Sequence, residues 1–501
     1  MTPPSSPPGR AGKEERIVPR TLQNYAGGAW VHARSGEHLP VMNPSIGVQI
    51  AEVPLSNAED VAQVVRSAKA ARSAWAETPI KDRVQVFFRF RTLLEEHSRS
   101  LAELVHEENG KTMPEATAEI EKGIEVTEFA CSMPQLATGE TLEVSKGVEC
   151  RIDRYPAGVV ASITPFNFPN MVPLWTIPNA LVLGNTMVLK PSQLVPLSSL
   201  RIAELLREAG LPDGVFNIVH GGQEAVEALC DHPDIDVLTF VGSTKVAKLV
   251  YARAASNLKR ALCLGGAKNH LIVLPDANEE MTASNVAASM SGCAGQRCMA
   301  ASAMVAVGPV DHIIRKLCDE ARKIIPGKNL GAVISRSAKE RIEGYITEAG
   351  EQGATILVDG RGAVVEGKEG GYYVGPTVID NVTPDMKIAR EEVFGPVLSI
   401  MRTRSVDEAL AIENANPYGN AASVFTQSGG IARYVIGRAS AGMIGVNIGV
   451  PVPREPFSFG GWNESKFGTG DITGKSSIEL FTRLKKTTTK WNPESRVNWM
   501  S

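Results

Sequence analysis

Between residues 158 and 274 the chain repeats one pattern, and that pattern limits its possible folds more than any other feature. Apolar runs of strand length occupy 158–163, 186–190, 216–219, 237–241, 259–264 and 270–274. Helical stretches at 169–183, 196–209, 223–229 and 243–255 separate most of them, the second closed by Gly210. A connection of helix length returns the chain parallel to the strand it left. Parallel strands are buried on both faces, so they read as unbroken apolar runs and not as alternations. The expectation is an α/β fold: a doubly wound parallel sheet with helices on both sides, of the kind that binds dinucleotides.

On either side the pattern changes. Ahead of the repeat lie short strands at 25–31, 39–44 and 48–54. An amphipathic helix follows at 58–75, with Val61, Val64, Val65, Ala68 and Ala71 on one side. Helical spacing continues over 81–104, stopped at Asn109-Gly110, and again over 113–136. After residue 275 a second α/β unit begins, with strands at 303–307, 355–358 and 443–446 and helices at 310–325, 336–352 and 406–414. Residues 140–155 and 478–491 alternate like strands that leave the body of the molecule and would carry unpaired edges.

At 501 residues the chain is long enough for two or three domains. A formal charge of -3 gives no reason to expect nucleic acid or a membrane surface as partner. No apolar run is long enough to span a bilayer. Residues 1–18, rich in Pro, Ser and charge, lack the apolar core of a secretory signal and read as a disordered tail. The seven cysteines are scattered, with no Cys-x-x-Cys and no metal-ligand spacing. A reducing, cytoplasmic compartment and no metal are the expectations.

Two stretches carry chemistry. The usual Gly-x-Gly-x-x-Gly fingerprint is absent. Phe240-Val241-Gly242-Ser243-Thr244 stands at a strand-to-helix junction instead, where Gly242 lets the chain turn and helix-opening amides can face phosphate. By itself Gly-Ser-Thr also reads as a plain helix cap. The second stretch is Ser291-Gly292-Cys293-Ala294-Gly295-Gln296-Arg297-Cys298. It sets a thiol among small residues, with Gly295 opening room for a bound group. A cation at Arg297 would favour the thiolate of Cys298.

The second stretch is similar to the nucleophile motif of the aldehyde dehydrogenase superfamily. Pro165-Phe166-Asn167-Phe168-Pro169, Leu189-Lys190-Pro191-Ser192, Phe240 to Thr244, Leu264-Gly265-Gly266-Ala267-Lys268 and Glu391-Glu392-Val393-Phe394-Gly395-Pro396 resemble further motifs of it, in family order. The run Ala267-Lys268-Asn269-His270 and Arg297 point to its CoA-acylating methylmalonate- or malonate-semialdehyde branch. The resemblance implies Cys298 as nucleophile and Asn167 as oxyanion donor. It implies NAD contacts from Thr164, Phe166, Lys190, Ser192, Gln193, Gly242, Ser243, Gly265, Glu392 and Phe394. Substrate contacts fall to Arg297, Lys122 and Phe168, the first two as a cationic pair for a carboxylate end.

Three departures matter. Gln193 stands where many NAD-specific relatives have Glu, which removes a repulsion against a 2′-phosphate. Lys122 stands for an arginine and loses its bidentate fork. Cys263 stands for the glutamate that activates water in hydrolytic relatives. Coenzyme A, with a thiol pKa of roughly 8.5, can do without that base. The implied enzyme is an NAD-dependent, CoA-acylating dehydrogenase of a short anionic semialdehyde, yielding acetyl-CoA or propionyl-CoA with loss of CO₂. The rivals are a hydrolytic NAD(P)-dependent dehydrogenase of another anionic aldehyde, such as a sulfonated one, and a non-catalytic binding protein. The resemblance further implies a dinucleotide-binding domain (19–138 and 156–275), a catalytic domain (276–469) and an oligomerisation arm (139–155 and 470–501) of a homodimer or homotetramer.

Overall fold

Five strands pair in parallel to form the centre of the first sheet: Arg260–Leu264, Val237–Val241, Val159–Ile163, Thr186–Lys190 and Phe216–Ile218, in that spatial order. They belong to a computed structural model that describes residues 20–491. The expected tail at 1–18 lies outside the described residues, as does 492–501. The hairpin Asn24–Ala26/Ala29–Val31 extends one edge antiparallel. On the other edge Lys466–Phe467 pairs antiparallel with Cys263 and Leu264. Helices cover both faces, so the expected doubly wound arrangement is present.

The helix Ala58–Glu77 shows how local sequence sets these elements. Asn57 accepts hydrogen bonds from Glu59 N and Asp60 N, and Asp60 bonds back to Asn57 N, a reciprocal cap. Such a cap is worth about 1 kcal/mol. Val61, Val64, Val65 and Ala68 fall on one face and are buried against the strands. The helix Ser98–Asn109 ends at Gly110, whose φ of 86° is the left-handed stop that the Asn-Gly pair predicts.

The second sheet runs Thr355–Val358, Thr377–Asp380, Val397–Thr403, Ala303–Val307, His270–Val273, Ala421–Phe425, Met443–Val446, parallel except at its first pair. Here the structure corrects an expectation. His270–Val273 pairs with Ala303–Val307 and Ala421–Phe425, so the chain crosses between sheets at 265–269 and not after 275. A doubly buried strand reads the same in either parallel sheet, so its apolar run could not name its neighbours.

A third sheet joins Glu140–Ser145, Val148–Pro156 and Thr482–Lys490. It begins later in the tail than expected. Ile478, Leu480 and Phe481, on the helix Ser476–Phe481, are buried in the main core, and only the strand after them joins the arm. No helix among the described residues is long and apolar enough to cross a membrane.

Candidate active site

A cavity of ≈ 1410 Å³ opens at the carboxyl ends of the first sheet's strands. Thr164 follows one strand, Lys190 ends the next, Gly242 follows a third and Gly265 a fourth. This is where open parallel sheets bind ligands. Every expected cofactor residue lines it: Thr164, Phe166, Lys190, Ser192, Gln193, Gly242, Ser243, Gly265, Glu392 and Phe394. So do Cys298, Asn167 and Phe168. Arg297 and Lys122 are not among the lining residues.

The nucleotide end is built for a polar ligand. Ser243 is the N-cap residue of Thr244–Ser256 but makes no side-chain cap bond, so it is not the plain cap that its sequence also allows. The opening amides of that helix keep their donors for an anion. Thr244 Oγ1 turns away, donating to Glu464 O (3.1 Å) and accepting from Gly266 N (2.8 Å). Thr164 Oγ1 is buried at the cavity wall without a partner. Lys190 is buried, its Nζ donates to Pro191 O (2.9 Å), and burial lowers its pKa to about 8. An orphaned hydroxyl, a desolvated amine and an uncapped helix start fit a dinucleotide better than they fit water alone.

Glu392 accepts from Ala267 N (3.1 Å), and burial raises its carboxyl to about 7. Phe394 has a φ of 53° and meets Phe166 edge to face at 5.8 Å. These two rings form one wall of the cavity.

Cys298 follows an unusual turn. After the helix Glu279–Ser291, Cys293, Ala294 and Gly295 all take left-handed φ values of 55°, 53° and 69°. Gly295 is needed there, but not for the reason the sequence suggests. A Cβ on it would fall 2.0 Å from Gly395 O, so the space it opens is filled by the Phe394–Pro396 loop and not by a ligand. Beyond the turn, Cys298 O accepts from Asn269 Nδ2 (2.7 Å) and Asn420 Nδ2 (2.9 Å). Two amides from different strand ends thus fix the Cys298 backbone. Neither was singled out for this role from sequence, although Asn269 lies inside a quoted motif.

The Cys298 thiol is the second correction. Enclosure pushes its pKa up to about 12, the nearby Glu392 adds to the rise, and Arg297 only partly opposes it. The cation effect expected from Arg297 is outweighed by desolvation. Asn167 Nδ2 donates to Gln296 O (3.0 Å), which leaves its second N–H for the cavity. Beneath Asn167 lies a buried ion pair that sequence reasoning missed. Lys111 Nζ meets Glu119 Oε2 at 2.5 Å, with both side chains essentially without exposure.

The two expected substrate cations differ. The Arg297 guanidinium folds over the turn, with Nη2 3.5 Å from Cys293 Sγ, and takes no carboxylate partner at ion-pair distance among the described residues. Lys122 is already neutralised, 2.7 Å from Glu125 Oε2 and 2.9 Å from Glu455 Oε2. The structure therefore does not assemble the expected pair of free charges. Helix periodicity placed Lys122, but a partner 333 residues away is invisible to it.

Cys263 is a buried strand residue, on the sheet face packed by Val250, Ala254 and Phe240, while Leu264 belongs to the cluster that Cys298 packs against. Strand alternation turns Cys263 away from Cys298, and its burial raises the thiol's pKa. Neither residue is a carboxylate, so this strand end supplies no general base.

Known proteins share this architecture. Residues 30–487 match the aldehyde dehydrogenase family. Malonate-semialdehyde dehydrogenase 1 of Geobacillus kaustophilus is 46% identical over 478 residues, 94% of this chain and 98% of that one. The crystal structure of methylmalonate-semialdehyde dehydrogenase from Oceanimonas doudoroffii has a TM-score of 0.93 at 42% identity, covering 94% of this chain and 99% of its own. A Sinorhizobium meliloti 1021 protein solved in complex with NAD has a TM-score of 0.93 at 41% identity, covering 95% and 99%.

Proposed function

This chain belongs to the aldehyde dehydrogenase family, and from that we propose that it oxidises a short anionic semialdehyde, malonate or methylmalonate semialdehyde, with NAD and hands the acyl group to coenzyme A. The observation that carries this reading is the meeting of Cys298, Asn167 and an uncapped helix start in one cavity. Cys298 would add to the aldehyde carbonyl as thiolate. The resulting oxyanion would take a hydrogen bond from the second N–H of Asn167 and from the Cys298 amide, a preorganised pair of donors. NAD, when bound, supplies the hydride acceptor. Lys190, Glu392 and the amides after Ser243 would hold its riboses and phosphates, and Phe394 would close over it. Loss of hydride leaves an acyl thioester on Cys298.

Arg297 supports the anionic substrate, because this partly buried guanidinium beside Cys298 forms no ion pair with a carboxylate among the described residues and can take the substrate's. A 3-oxo acid would leave a carboxylate β to the thioester carbonyl. Breaking that C–C bond sends its electron pair into the thioester, releases CO₂, and returns a proton to carbon. The absence of a carboxylate at Cys263 and Leu264 supports a thiol acceptor. Coenzyme A would then displace Cys298 and leave as acetyl-CoA or propionyl-CoA.

One observation favours a hydrolytic alternative. Glu392 lies in the same cavity with its carboxyl raised to about 7, so it could take a proton from water. Following NADH over many turnovers with and without coenzyme A decides the matter. Our reading expects a single burst without coenzyme A and sustained turnover with it. Sustained turnover without it removes the acyl-transfer reading.

The domain division belongs to the same proposal: a dinucleotide-binding part built on the first sheet, a catalytic part on the second, and the three-stranded arm as the contact between subunits of a dimer or tetramer. Leu142, Val144, Tyr155 and Leu484 are exposed on that arm.

A further inference from the structure

A closed ring of hydrogen bonds runs beneath the reaction site and joins the two halves of the molecule. Lys111 Nζ donates to Asn167 O at 2.5 Å. Asn167 Nδ2 donates to Gln296 O at 3.0 Å. The Gln296 side-chain oxygen accepts from Ile334 N at 3.0 Å. Two residues earlier, Ala332 N donates to Gly110 O at 3.0 Å, and Gly110 is bonded to Lys111. Asn167 follows the first-sheet strand Val159–Ile163, and Lys111 follows the helix Ser98–Asn109, whose core residues join the same cluster. Gln296 and 332–334 belong to the loops of the second sheet.

We infer that Lys111 and Gln296 are positioning residues that aim the Asn167 amide at the reacting carbonyl. The inference rests on the oxyanion role of Asn167 proposed above. Lys111 holds the Asn167 main chain from below, and its ammonium also sits 3.9 Å over the Phe168 ring. Its charge is balanced by Glu119, whose other oxygen accepts from Asn170 N (2.8 Å) and Met171 N (3.0 Å). Asn167, Phe168, Asn170 and Met171 are therefore tied to one buried Lys–Glu unit, and just before them Phe166 O accepts from Asn109 Nδ2 (2.8 Å). Gln296 holds the amide from the side and directs its second N–H into the cavity. A buried ion pair is a poor source of net stability because desolvation opposes it. Its geometry here is accounted for by orientation. An oxyanion donor loses effect steeply when it moves, and a 1 Å misplacement costs about a hundredfold.

The test is a double-mutant cycle between Lys111→Met and Asn167→Ala, measured as kcat for NADH formation in the full-length protein. Acting through Asn167, Lys111→Met should lower kcat by about tenfold to a hundredfold in the wild-type background. It should lower it less than twofold in the Asn167→Ala background, while NADH affinity stays within twofold in both. Gln296→Met keeps the main-chain oxygen that accepts from Asn167 but cuts the side-chain bond to Ile334 N that holds it in place; run through the same cycle, it should show the same non-additivity, and it covers the case in which Lys111→Met does not fold. Equal losses in both backgrounds, for whichever variants fold, would mean that the ring only stabilises the protein, and the inference falls. An Asn167→Ala enzyme as active as the wild type would instead remove the oxyanion reading itself.

Discussion

The side-chain amide of Asn167 donates to the main-chain oxygen of Gln296, two residues before Cys298. That single bond ties the loop after Val159–Ile163 to the loop before Ala303–Val307, so Asn167 and Cys298 are set by one another across the two sheets. Cys298→Ala should therefore abolish aldehyde oxidation and leave NADH binding within twofold, since no cofactor contact depends on the thiol. Fluorescence titration with NADH beside a steady-state assay checks both halves. Retained oxidation would show the covalent centre to be elsewhere.

The burial of Cys298 sets a pH dependence. With the thiol pushed up to about 12, the thiolate fraction of the ligand-free enzyme is small at neutral pH and still climbing at pH 9. An unperturbed thiol levels off above roughly 8.5. The rate of iodoacetamide labelling at Cys298 should rise through pH 9 without a plateau. A plateau near pH 7 would mean that Arg297 and the backbone amides outweigh desolvation.

Lys190 gives a second pH dependence of opposite sense. Its amine, lowered to about 8 by burial, is charged at pH 7 and neutral at pH 9. A hydrogen bond from a charged donor is worth about 1 kcal/mol more than one from a neutral donor, or roughly fivefold in affinity. NADH binding should weaken by about that factor from pH 7 to pH 9, and Lys190→Met should bind weakly at both. A wild-type affinity that does not change over this range would remove Lys190 from the cofactor contacts.

Most of the sheet order's consequences were legible in the sequence, because doubly buried strands and amphipathic helices leave a local signature. The helix stop at Gly110 was legible because an Asn-Gly pair favours the left-handed turn found there, while the Asn57 cap was not read. The assignment of His270–Val273 was not, since a parallel strand's pattern is blind to which sheet it joins. At the site, the expected cofactor residues line the cavity with Cys298, Asn167 and Phe168, whereas Arg297 and Lys122 do not. What the sequence hid were Asn420 on Cys298 O and Glu455 on Lys122, contacts across long separations, and the Lys111–Glu119 pair, whose burial no local pattern shows. The direction of the Cys298 shift was hidden too, because a neighbouring charge can be read from the chain and burial cannot.

The arm gives a further expectation. Leu142 is 67% exposed and lies on the edge strand Glu140–Ser145 of a sheet with only three strands. An exposed apolar edge is a pairing surface. Light scattering at micromolar concentration should give a dimer or tetramer. Leu142→Glu with Val144→Lys should lower the mass without moving the NADH affinity by more than twofold. A monomeric wild type would set the arm's role aside.

Lys122 and Arg297 sharpen the question of substrate charge. Among the described residues Arg297 forms no ion pair with a carboxylate, while Lys122 is shared by Glu125 and Glu455. If an anionic aldehyde is the substrate, Arg297 carries its recognition. Losing a charged hydrogen-bond partner costs about 1.5–3 kcal/mol, or roughly tenfold to more than a hundredfold. Arg297→Leu should lower kcat/KM by that much for malonate semialdehyde and much less for propanal. Lys122→Ala should matter less than a like change in a free cation, because its charge is already committed. Glu455→Gln frees part of that charge, and should raise kcat/KM for the anionic aldehyde over propanal if Lys122 faces the substrate. Measuring both aldehydes separates recognition from reactivity, since a change in the Cys298 thiol alone would slow them equally. Equal losses in Arg297→Leu for the charged and the neutral aldehyde would leave Arg297 as a modulator of the nucleophile and remove the anionic end from the substrate.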